Sequence, residues 1–218
     1  MNKFIALAFV IVLLPACVST KNVPVNTSDL ENTSFSQITL SNRDKPDFSA
    51  LTAGKAVFGA IGAAAMISAG NKIIRENEVA DPADYIGREL AKIMSERYQI
   101  SEVNKSETLV KGLKSKQVID TYTDSGLVID VQTINWSFGY FPTKWGKYRV
   151  IYTAKLRLID SESNKLLAEG FCKRIPEYDE SAPTKKELLA DSAARIKQEL
   201  SIAADSCIEQ LRENVLQL

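Results

Sequence analysis

The chain lacks histidine altogether, and this absence removes several classes of function. None of its 218 residues is His. Histidine is the side chain that most often acts as a general acid or base, and it is the commonest metal ligand. Its absence excludes His-based triads and His-ligated metal sites. The sequence also has no G-x-S-x-G, P-loop or G-x-G-x-x-G pattern. We therefore expect no enzyme activity, no catalytic residues, no metal site and no cofactor.

An excess of charge of either sign is missing as well. Lys and Arg total 27 and Asp and Glu total 27, so the formal net charge is +0. Nucleic-acid-binding domains usually carry a basic surface that neutralises phosphates. The charge balance therefore predicts no nucleic-acid partner. The nearest arrangement to a catalytic carboxylate group lies near predicted strand ends and consists of Asp120, Asp124 and Asp130. A chain with this many acidic residues is expected to contain such a group by chance, so it does not indicate catalysis.

Long apolar runs are scarce, and the clearest one lies at the N-terminus. Phe4 to Leu14 is an uncharged apolar run of 11 residues behind Lys3. A membrane-spanning helix needs roughly 20 residues, whereas the apolar region of a secretory signal has about 7–15. The run ends in Leu14-Pro15-Ala16-Cys17. This stretch resembles the lipobox of bacterial lipoproteins, in which an aliphatic residue, a small residue and Ala or Gly precede Cys.

The resemblance implies a definite chemistry at Cys17. It implies a diacylglycerol thioether on the sulfur, cleavage before Cys17 so that residues 1–16 are a signal peptide, and acylation of the new amine, typically with palmitate. Two or more acyl chains anchor a protein stably to a membrane. Val18 stands where an inner-membrane lipoprotein of enterobacteria would have Asp, which implies the outer membrane, facing the periplasm. The inner membrane, the cell surface and an unlipidated secreted protein are the alternatives.

Cysteine is also rare, and its distribution is informative. The chain has three cysteines. If lipid occupies Cys17, Cys172 and Cys207 remain as a pair in an oxidising compartment, which predicts one disulfide bond. Two buried free thiols are the alternative, because reduced cysteines pack well as small apolar groups.

The segment behind Cys17 is polar. Ser, Thr and Asn make up 14 of the 33 residues from 18 to 50. We interpret residues 17–50 as the lipidated cysteine and a flexible tether, because no helical period appears. Such a chain would have an end-to-end distance of about 30 Å. Residues 34–41, SFSQITLS, alternate well enough to add an edge strand to a sheet.

The folded part is predicted to be a single periplasmic domain over 51–218. It begins with a helix over 51–79 that is rich in Gly and Ala. Small residues at three- and four-residue spacing let helices approach closely. The glycines of this segment are Gly54, Gly59, Gly62 and Gly70. Three interpretations are open: a helix packed on its own domain or a partly ordered loop, a self-associating segment, or a segment over 54–70 that contacts or perturbs a membrane.

The rest of the domain predicts an α+β fold. Asp81 and Pro82 begin a helix over 82–98. Alternating residues over 117–175 predict strands, of which 147–160 is the clearest. Thr184 and Glu187 form a capping box at the start of a helix over 184–214. We therefore expect an antiparallel β-meander of three to five strands covered by the long C-terminal helix, with a helical segment N-terminal to it.

The turn between two of these strands is unusually aromatic. Residues 135–148, NWSFGYFPTKWGKY, contain both tryptophans of the protein. Because aromatic residues are enriched at interfaces, this stretch is our first candidate for partner binding. The alternative is that the loop folds back and closes one end of the core. The candidate contact residues are Trp136, Phe138, Tyr140, Phe141, Lys144 and Trp145.

These observations predict a non-catalytic binding or accessory subunit of an envelope transport, secretion or assembly complex. Its expected partners are the membrane, through the lipid, and an envelope protein, and a homo-oligomer is compatible with the sequence. The alternatives are a self-associating or membrane-perturbing protein acting through 54–70, or a carrier of a lipid or other apolar ligand held between sheet and helix.

Overall fold

The computed structural model describes residues 22–52, 54 and 59–218. They form an α+β fold in which helices pack against one open six-stranded sheet. The strands are β1 (Gln37–Arg43), β2 (Ser49–Leu51), β3 (Glu102–Val110), β4 (Leu127–Phe141), β5 (Lys144–Asp160) and β6 (Lys165–Arg174). The helices are α1 (Thr27–Glu31), α2 (Gly59–Glu76), α3 (Pro82–Tyr98), α4 (Ser115–Thr121) and α5 (Lys185–Leu211), followed by a π-helical turn (Arg212–Leu216).

The last three strands form the predicted antiparallel meander. β4 pairs with β5 and β5 with β6, both antiparallel. Tyr148, Val150, Tyr152, Ala154, Leu156 and Leu158 all point to the inner face of the sheet and are buried. Of the residues of opposite parity between them, Arg149, Thr153, Lys155 and Arg157 are charged or polar, and Ile151 is apolar. The alternation over 148–158 therefore predicted both this strand and its buried face correctly.

The sheet also contains parallel strands, in addition to the expected antiparallel meander. Its order is β3-β1-β4-β5-β6, and β2 also pairs with β4. The pairs β1–β3, β1–β4 and β2–β4 are all parallel. Parallel neighbours need long connections, and here α2, α3 and the intervening loops supply them. β1 lies inside the sheet between β3 and β4, so the prediction of an edge strand at 34–41 was wrong about its position.

The segment expected to be a flexible tether is part of the domain. From Asn22 onward it contains α1, β1 and β2, and it buries Val25, Leu30, Ile38 and Phe48 in the core. The high content of Ser, Thr and Asn without a helical period suggested a tether, but most of the apolar residues from Val25 onward are buried. Of the predicted tether over 17–50, only residues 17–21 lie outside the described part of the chain in front of Asn22.

One segment predicted as a strand is a helix. Residues 115–121 form α4, and the Tyr122 amide donates to the carbonyl oxygens of Val118 and Ile119. Val118 and Tyr122 lie four residues apart and pack against the outer face of the sheet, where they contact a small second cluster with Val110, Val128 and Ile159. A spacing of four residues places Val118 and Tyr122 on the same side of a helix. This spacing decides the structure, although the same short stretch also alternates as a strand would.

Helices α3 and α5 cover the inner face. Asp81 caps α3 by accepting a hydrogen bond from the Ala83 amide at 3.0 Å, with Pro82 as its first residue. Its buried side includes Ile86, Leu90 and Met94. α5 packs along β5 and β6 and begins with the capping box of Thr184 and Glu187.

Helix α5 is interrupted, which its sequence pattern did not indicate. Ala190 is extended, and Asp191, Ser192 and Ala193 have left-handed backbone angles with φ between 51° and 57°. Before the break, Leu188 is fully buried and Leu189 only partly. Beyond the break, the apolar residues at three- and four-residue steps form a buried stripe: Ile196, Leu200, Ala203, Cys207 and Leu211.

Candidate functional site

The aromatic residues of the β4–β5 hairpin point mostly into the core. Trp136 and Phe138 are 1% and 0% exposed. Phe48 meets the Trp136 ring edge-on at 5.1 Å, and the Phe138 ring meets Tyr148 at 5.8 Å. The indole Nε1 of Trp136 donates to the Pro46 carbonyl oxygen at 3.0 Å. This cluster joins the hairpin to the segment that precedes α2.

Phe141 is also covered by its own chain. Its ring stands edge-on to Tyr178 at 5.3 Å, and the Arg149 guanidinium lies 5.0 Å from its centre. Phe141 is 4% exposed, and Tyr140 is half-buried. Side chains this deeply enclosed cannot contact a partner. The proposed partner contacts through Trp136, Phe138 and Phe141 are therefore wrong, and for these residues the alternative interpretation holds.

Trp145 and Lys144 remain at the surface. Trp145 is 69% exposed, and its Nε1 donates to the Pro142 carbonyl oxygen at 2.7 Å, so the turn holds the ring outward. Lys144 is exposed, with its Nζ 5.6 Å from the centre of the Tyr178 ring. An exposed indole with its polar atom satisfied presents a rigid apolar surface, which is the usual character of an interface anchor.

Strand parity could have distinguished the buried aromatic residues of the hairpin from the exposed Trp145. Trp136, Phe138 and Tyr140 stand at alternate positions of β4, opposite Tyr152, Val150 and Tyr148 of β5. Residues of one parity share one face, so the buried face of β5 already indicated where the aromatic residues of β4 point. Trp145 opposes no residue of β4 in the pairing register, which leaves it free of this constraint.

The glycines of the small-residue segment have different surroundings. Gly70 faces β2 so closely that an added Cβ would lie 2.0 Å from the carbonyl oxygen of Phe48. Gly62 is buried, Gly54 is exposed with no atom near its Cβ position, and Gly59 is the first residue of α2. The close approach at Gly70 is made to its own domain. This position therefore cannot also serve the proposed self-association.

Helix α2 nevertheless leaves apolar side chains in solvent. Ile61 is 82% exposed and Ile67 is 37% exposed. Gly62, Met66 and Gly70 form the buried side of the same helix. Within the part of the chain that the structure describes, no helix has both the length and the apolar character needed to cross a membrane.

The predicted disulfide is present between Cys172 and Cys207. The two Cα atoms are 5.1 Å apart, and both residues are buried. Cys172 belongs to the inner-face parity of β6, and Cys207 lies on the apolar stripe of α5. The bond therefore fixes the last strand to the covering helix. Cys17, the proposed lipidation site, lies outside the described residues.

A cleft of about 290 Å³ opens beside the N-terminus of α3. Its floor is apolar, from Leu40, Ile129 and Val131 of the sheet, and Ala83 and Gly87 of α3 form one wall. Its rim carries charges of both signs, on Arg43, Asp44, Lys45, Asp81, Asp84 and Lys105. Such a site can hold a small, partly apolar molecule.

Asp81 is the most unusual group in this cleft. Burial raises the pKa of its carboxyl above the ordinary value, although a hydrogen bond from Thr133 opposes the shift. The Thr133 hydroxyl also lies 2.8 Å from the hydroxyl of Tyr152, whose pKa burial raises strongly. A raised carboxyl pKa means that the folded state loses stability as the pH rises through that pKa. The three groups together fix the start of α3 to the sheet.

A buried ionic cluster lies on the outer face of the sheet. Asp130 is fully buried and accepts hydrogen bonds from Arg43 at 2.6 and 2.8 Å, from Arg157 at 2.7 Å and from Ser41 at 2.6 Å. Burial alone would raise the pKa of Asp130, but these partners hold it below the ordinary value. Asp120 instead pairs with Lys116 at the surface. The carboxylates of 120–130 therefore do not converge, and Asp130 has a structural role.

Comparisons with known proteins show similarity only to solved structures. No protein-family model matches the chain, and no curated protein does. A PelC dodecamer from Paraburkholderia phytofirmans is 11% identical over 84% of this chain and 96% of that one, with a TM-score of 0.32. Protein XCC0632 from Xanthomonas campestris, of the family DUF330, is 11% identical over 78% and 80%, with a TM-score of 0.34.

A third similar structure is lipoprotein GNA1162 from Neisseria meningitidis. It is 11% identical over 75% of this chain and 96% of that one, with a TM-score of 0.27. Similarity at this level carries no inference about function, which has to come from the residues of this chain.

Proposed function

We propose that the chain is a membrane-anchored envelope lipoprotein that acts as a non-catalytic binding subunit of an envelope transport, secretion or assembly complex. The observation that carries the proposal is the position of Cys17 directly behind the apolar run of 4–14 and the Leu14-Pro15-Ala16 stretch. The bond between Cys172 and Cys207 supports it, because it leaves Cys17 as the unpaired third cysteine and suits an oxidising compartment. The outer membrane is the proposed location.

The anchor can be tested by mass analysis of the full chain produced in a Gram-negative bacterium. The expected N-terminal peptide begins at Cys17 and carries a diacylglycerol thioether and an amide-linked acyl chain. A Cys17→Ser variant serves as the control and should keep its leader and lose the lipid. An unmodified Cys17, in a chain that is cleaved elsewhere or not at all, would refute the proposal.

The partner surface that we propose is the hairpin turn at Lys144 and Trp145. Trp145 combines high exposure with a satisfied indole N–H, and its substitution leaves the core cluster of Trp136 and Phe48 intact. Trp145→Ala should therefore reduce co-purification with envelope proteins after crosslinking in cells, with unchanged thermal stability. Val103→Ala is the matched control, because Val103 is 42% exposed on β3. Equal capture by both variants would exclude the turn as the partner surface.

Self-association through α2 is a second candidate, because Ile61 projects into solvent. The expected result is a concentration-dependent oligomer of the detergent-free domain that Ile61→Ser dissociates. Ile202→Ser is the control, since Ile202 on α5 is 43% exposed. A monomer at all concentrations would reject this candidate.

Binding of an apolar ligand in the cleft beside α3 is a third candidate. The apolar floor of Leu40, Ile129 and Val131 is the observation that favours it. Native mass spectrometry of the purified domain should then show a bound mass that Gly87→Leu removes, since a side chain at Gly87 would point toward Leu40 and Val131. A purified domain without any bound mass would speak against a carrier function.

A further inference from the structure

We propose that one particular side of the domain, the β6 edge together with the C-terminal end of α5, rests directly on the lipid headgroup layer, and that the β3 edge faces away from the membrane. This inference rests on the proposed lipid anchor at Cys17. It concerns the orientation of the domain, which a lipobox alone leaves open.

The first step is the point at which the chain joins the fold. The Asn22 side-chain oxygen accepts a hydrogen bond from the Phe171 amide at 3.0 Å. Val23 pairs with Glu169 through both backbone hydrogen bonds, at 2.7 and 3.0 Å. The Val25 amide then donates to the Val215 carbonyl oxygen at 2.8 Å. The chain is therefore fixed along the β6 edge from Asn22 onward.

The second step is the reach of the intervening chain. Cys17 lies five residues before Asn22, and five residues span at most about 18 Å in any conformation. Counted from the Asn22–Val25 segment, β3 is the fifth strand across the sheet, after β6, β5, β4 and β1. At about 4.8 Å per strand, the β3 edge lies about 24 Å away. A fully extended linker therefore falls short of the β3 edge, which favours attachment on the β6 side.

The third step is the chemistry of the surface on that side. Gln210 of α5 bonds both backbone groups of Lys173 on the β6 edge, at 3.2 and 3.4 Å. Asn214 follows one helical turn later, and nearby Arg212 pairs with Glu209 and Glu213. This surface is polar and its charges are balanced. It suits contact with headgroups that the covalent anchor holds in place, and it carries no basic patch that would bind anionic lipid by itself.

The experiment measures the distance of two labels from the lipid. Since Cys17 is lipidated and the other cysteines are bonded to each other, Asn214→Cys and Glu107→Cys each add one reactive thiol on the exposed surface of opposite sides. The full lipidated chain is labelled with a fluorophore and reconstituted into phosphatidylcholine vesicles containing a headgroup-attached quencher. The label at position 214 should be quenched several-fold more strongly than the label at position 107.

A linker variant is the matched control. Insertion of 20 Gly and Ser residues after Thr20 adds a flexible span of about 25 Å, which should remove the difference between the labels while flotation persists. Equal quenching in the chain without the insertion, or stronger quenching at position 107, would overturn the orientation alone. A chain that does not float with the vesicles would instead refute the anchor, and the orientation with it.

Discussion

Residues 22–51 and residues 127–174 enter the same sheet by different routes. β4, β5 and β6 follow one another in sequence, are joined by short turns and pair as antiparallel neighbours. β1 instead pairs in parallel with β3 and β4, so that Ile38 lies beside Val103 and Leu127. The meander forms its sheet from local contacts, whereas the N-terminal segment depends on partners far along the chain.

The comparison shows that a polar segment can still be a central part of a core. The N-terminal segment contributes few apolar side chains, but Ile38 and Phe48 are each fully buried. It also supplies Ser41 and Arg43, which hold Asp130 of the meander. The two regions are thus joined on both faces of the sheet, by apolar contacts on one and by a charged cluster on the other.

Deletion of residues 22–43 should destabilise the domain more than any other change proposed here. It removes β1 from between β3 and β4 and leaves Asp130 without Arg43. We expect no cooperative thermal unfolding by circular dichroism. Deletion of residues 18–21, just outside the described segment, is the control and should leave the melting curve unchanged. A folded 22–43 deletion would mean that the segment is a tether after all.

The two tryptophans of the hairpin should differ sharply in their effect on stability. Trp136→Ala should lower the free energy of unfolding by about 3–5 kcal/mol, because it opens a cavity beside Phe48. Trp145→Ala should change it by less than about 0.5 kcal/mol, since the ring is exposed. Chemical denaturation of both variants measures the difference. Similar losses would show that the hairpin is not divided into a buried and an exposed part.

Loss of the disulfide should weaken the meander side of the domain. The bond closes a sequence separation of 35 residues, and a loop of this length contributes about 3–4 kcal/mol. The paired Cys172→Ala and Cys207→Ala variant should lose stability by this amount in denaturant. Reducing agent should destabilise the unmodified domain similarly and leave the double variant unchanged; a response of the double variant would point to another cause.

Removal of Arg43 should make the domain more sensitive to acid. The pKa of Asp130 is lowered in the fold, so its contribution is present above the unfolded pKa of about 3.9 and is lost as the pH falls through the folded value. Arg43→Met should raise that folded pKa, move the acid-unfolding midpoint to higher pH and cost about 1.5–3 kcal/mol at neutral pH. Arg88→Met, at an exposed pair with Asp84, is the control and should shift neither quantity.

Local patterns in the sequence were sufficient for the elements whose partners are close in sequence. Period two over 148–158 and the capping residues Asp81 and Thr184 depend on neighbours along one element. The count of three cysteines indicated the pair Cys172 and Cys207. These patterns predicted the fold class, the meander and the position of the disulfide.

The remaining features depend on contacts that no local pattern contains. Parallel pairing of β1 is decided by residues more than sixty positions away, as in the pair Ile38 and Val103. Gly70 is required by the backbone of Phe48, which lies on a different element. The inward direction of Trp136 becomes clear from the alternation of β4 only when that strand is paired with the buried face of β5. The abundance of aromatic residues in the hairpin therefore predicted too large a partner-binding surface. Of the two tryptophans, only Trp145 is at the surface.

The pairing of Val23 with Glu169 and of Val25 with Val215 has a consequence for biogenesis. A polypeptide that crosses a membrane with its N-terminus first delivers Val215 almost last. Under the proposed export, Val25 therefore lacks its backbone partner until the end of translocation. Once the C-terminus has arrived, Val25 can pair with Val215, so the N-terminal segment completes its contacts only after almost the whole chain has emerged.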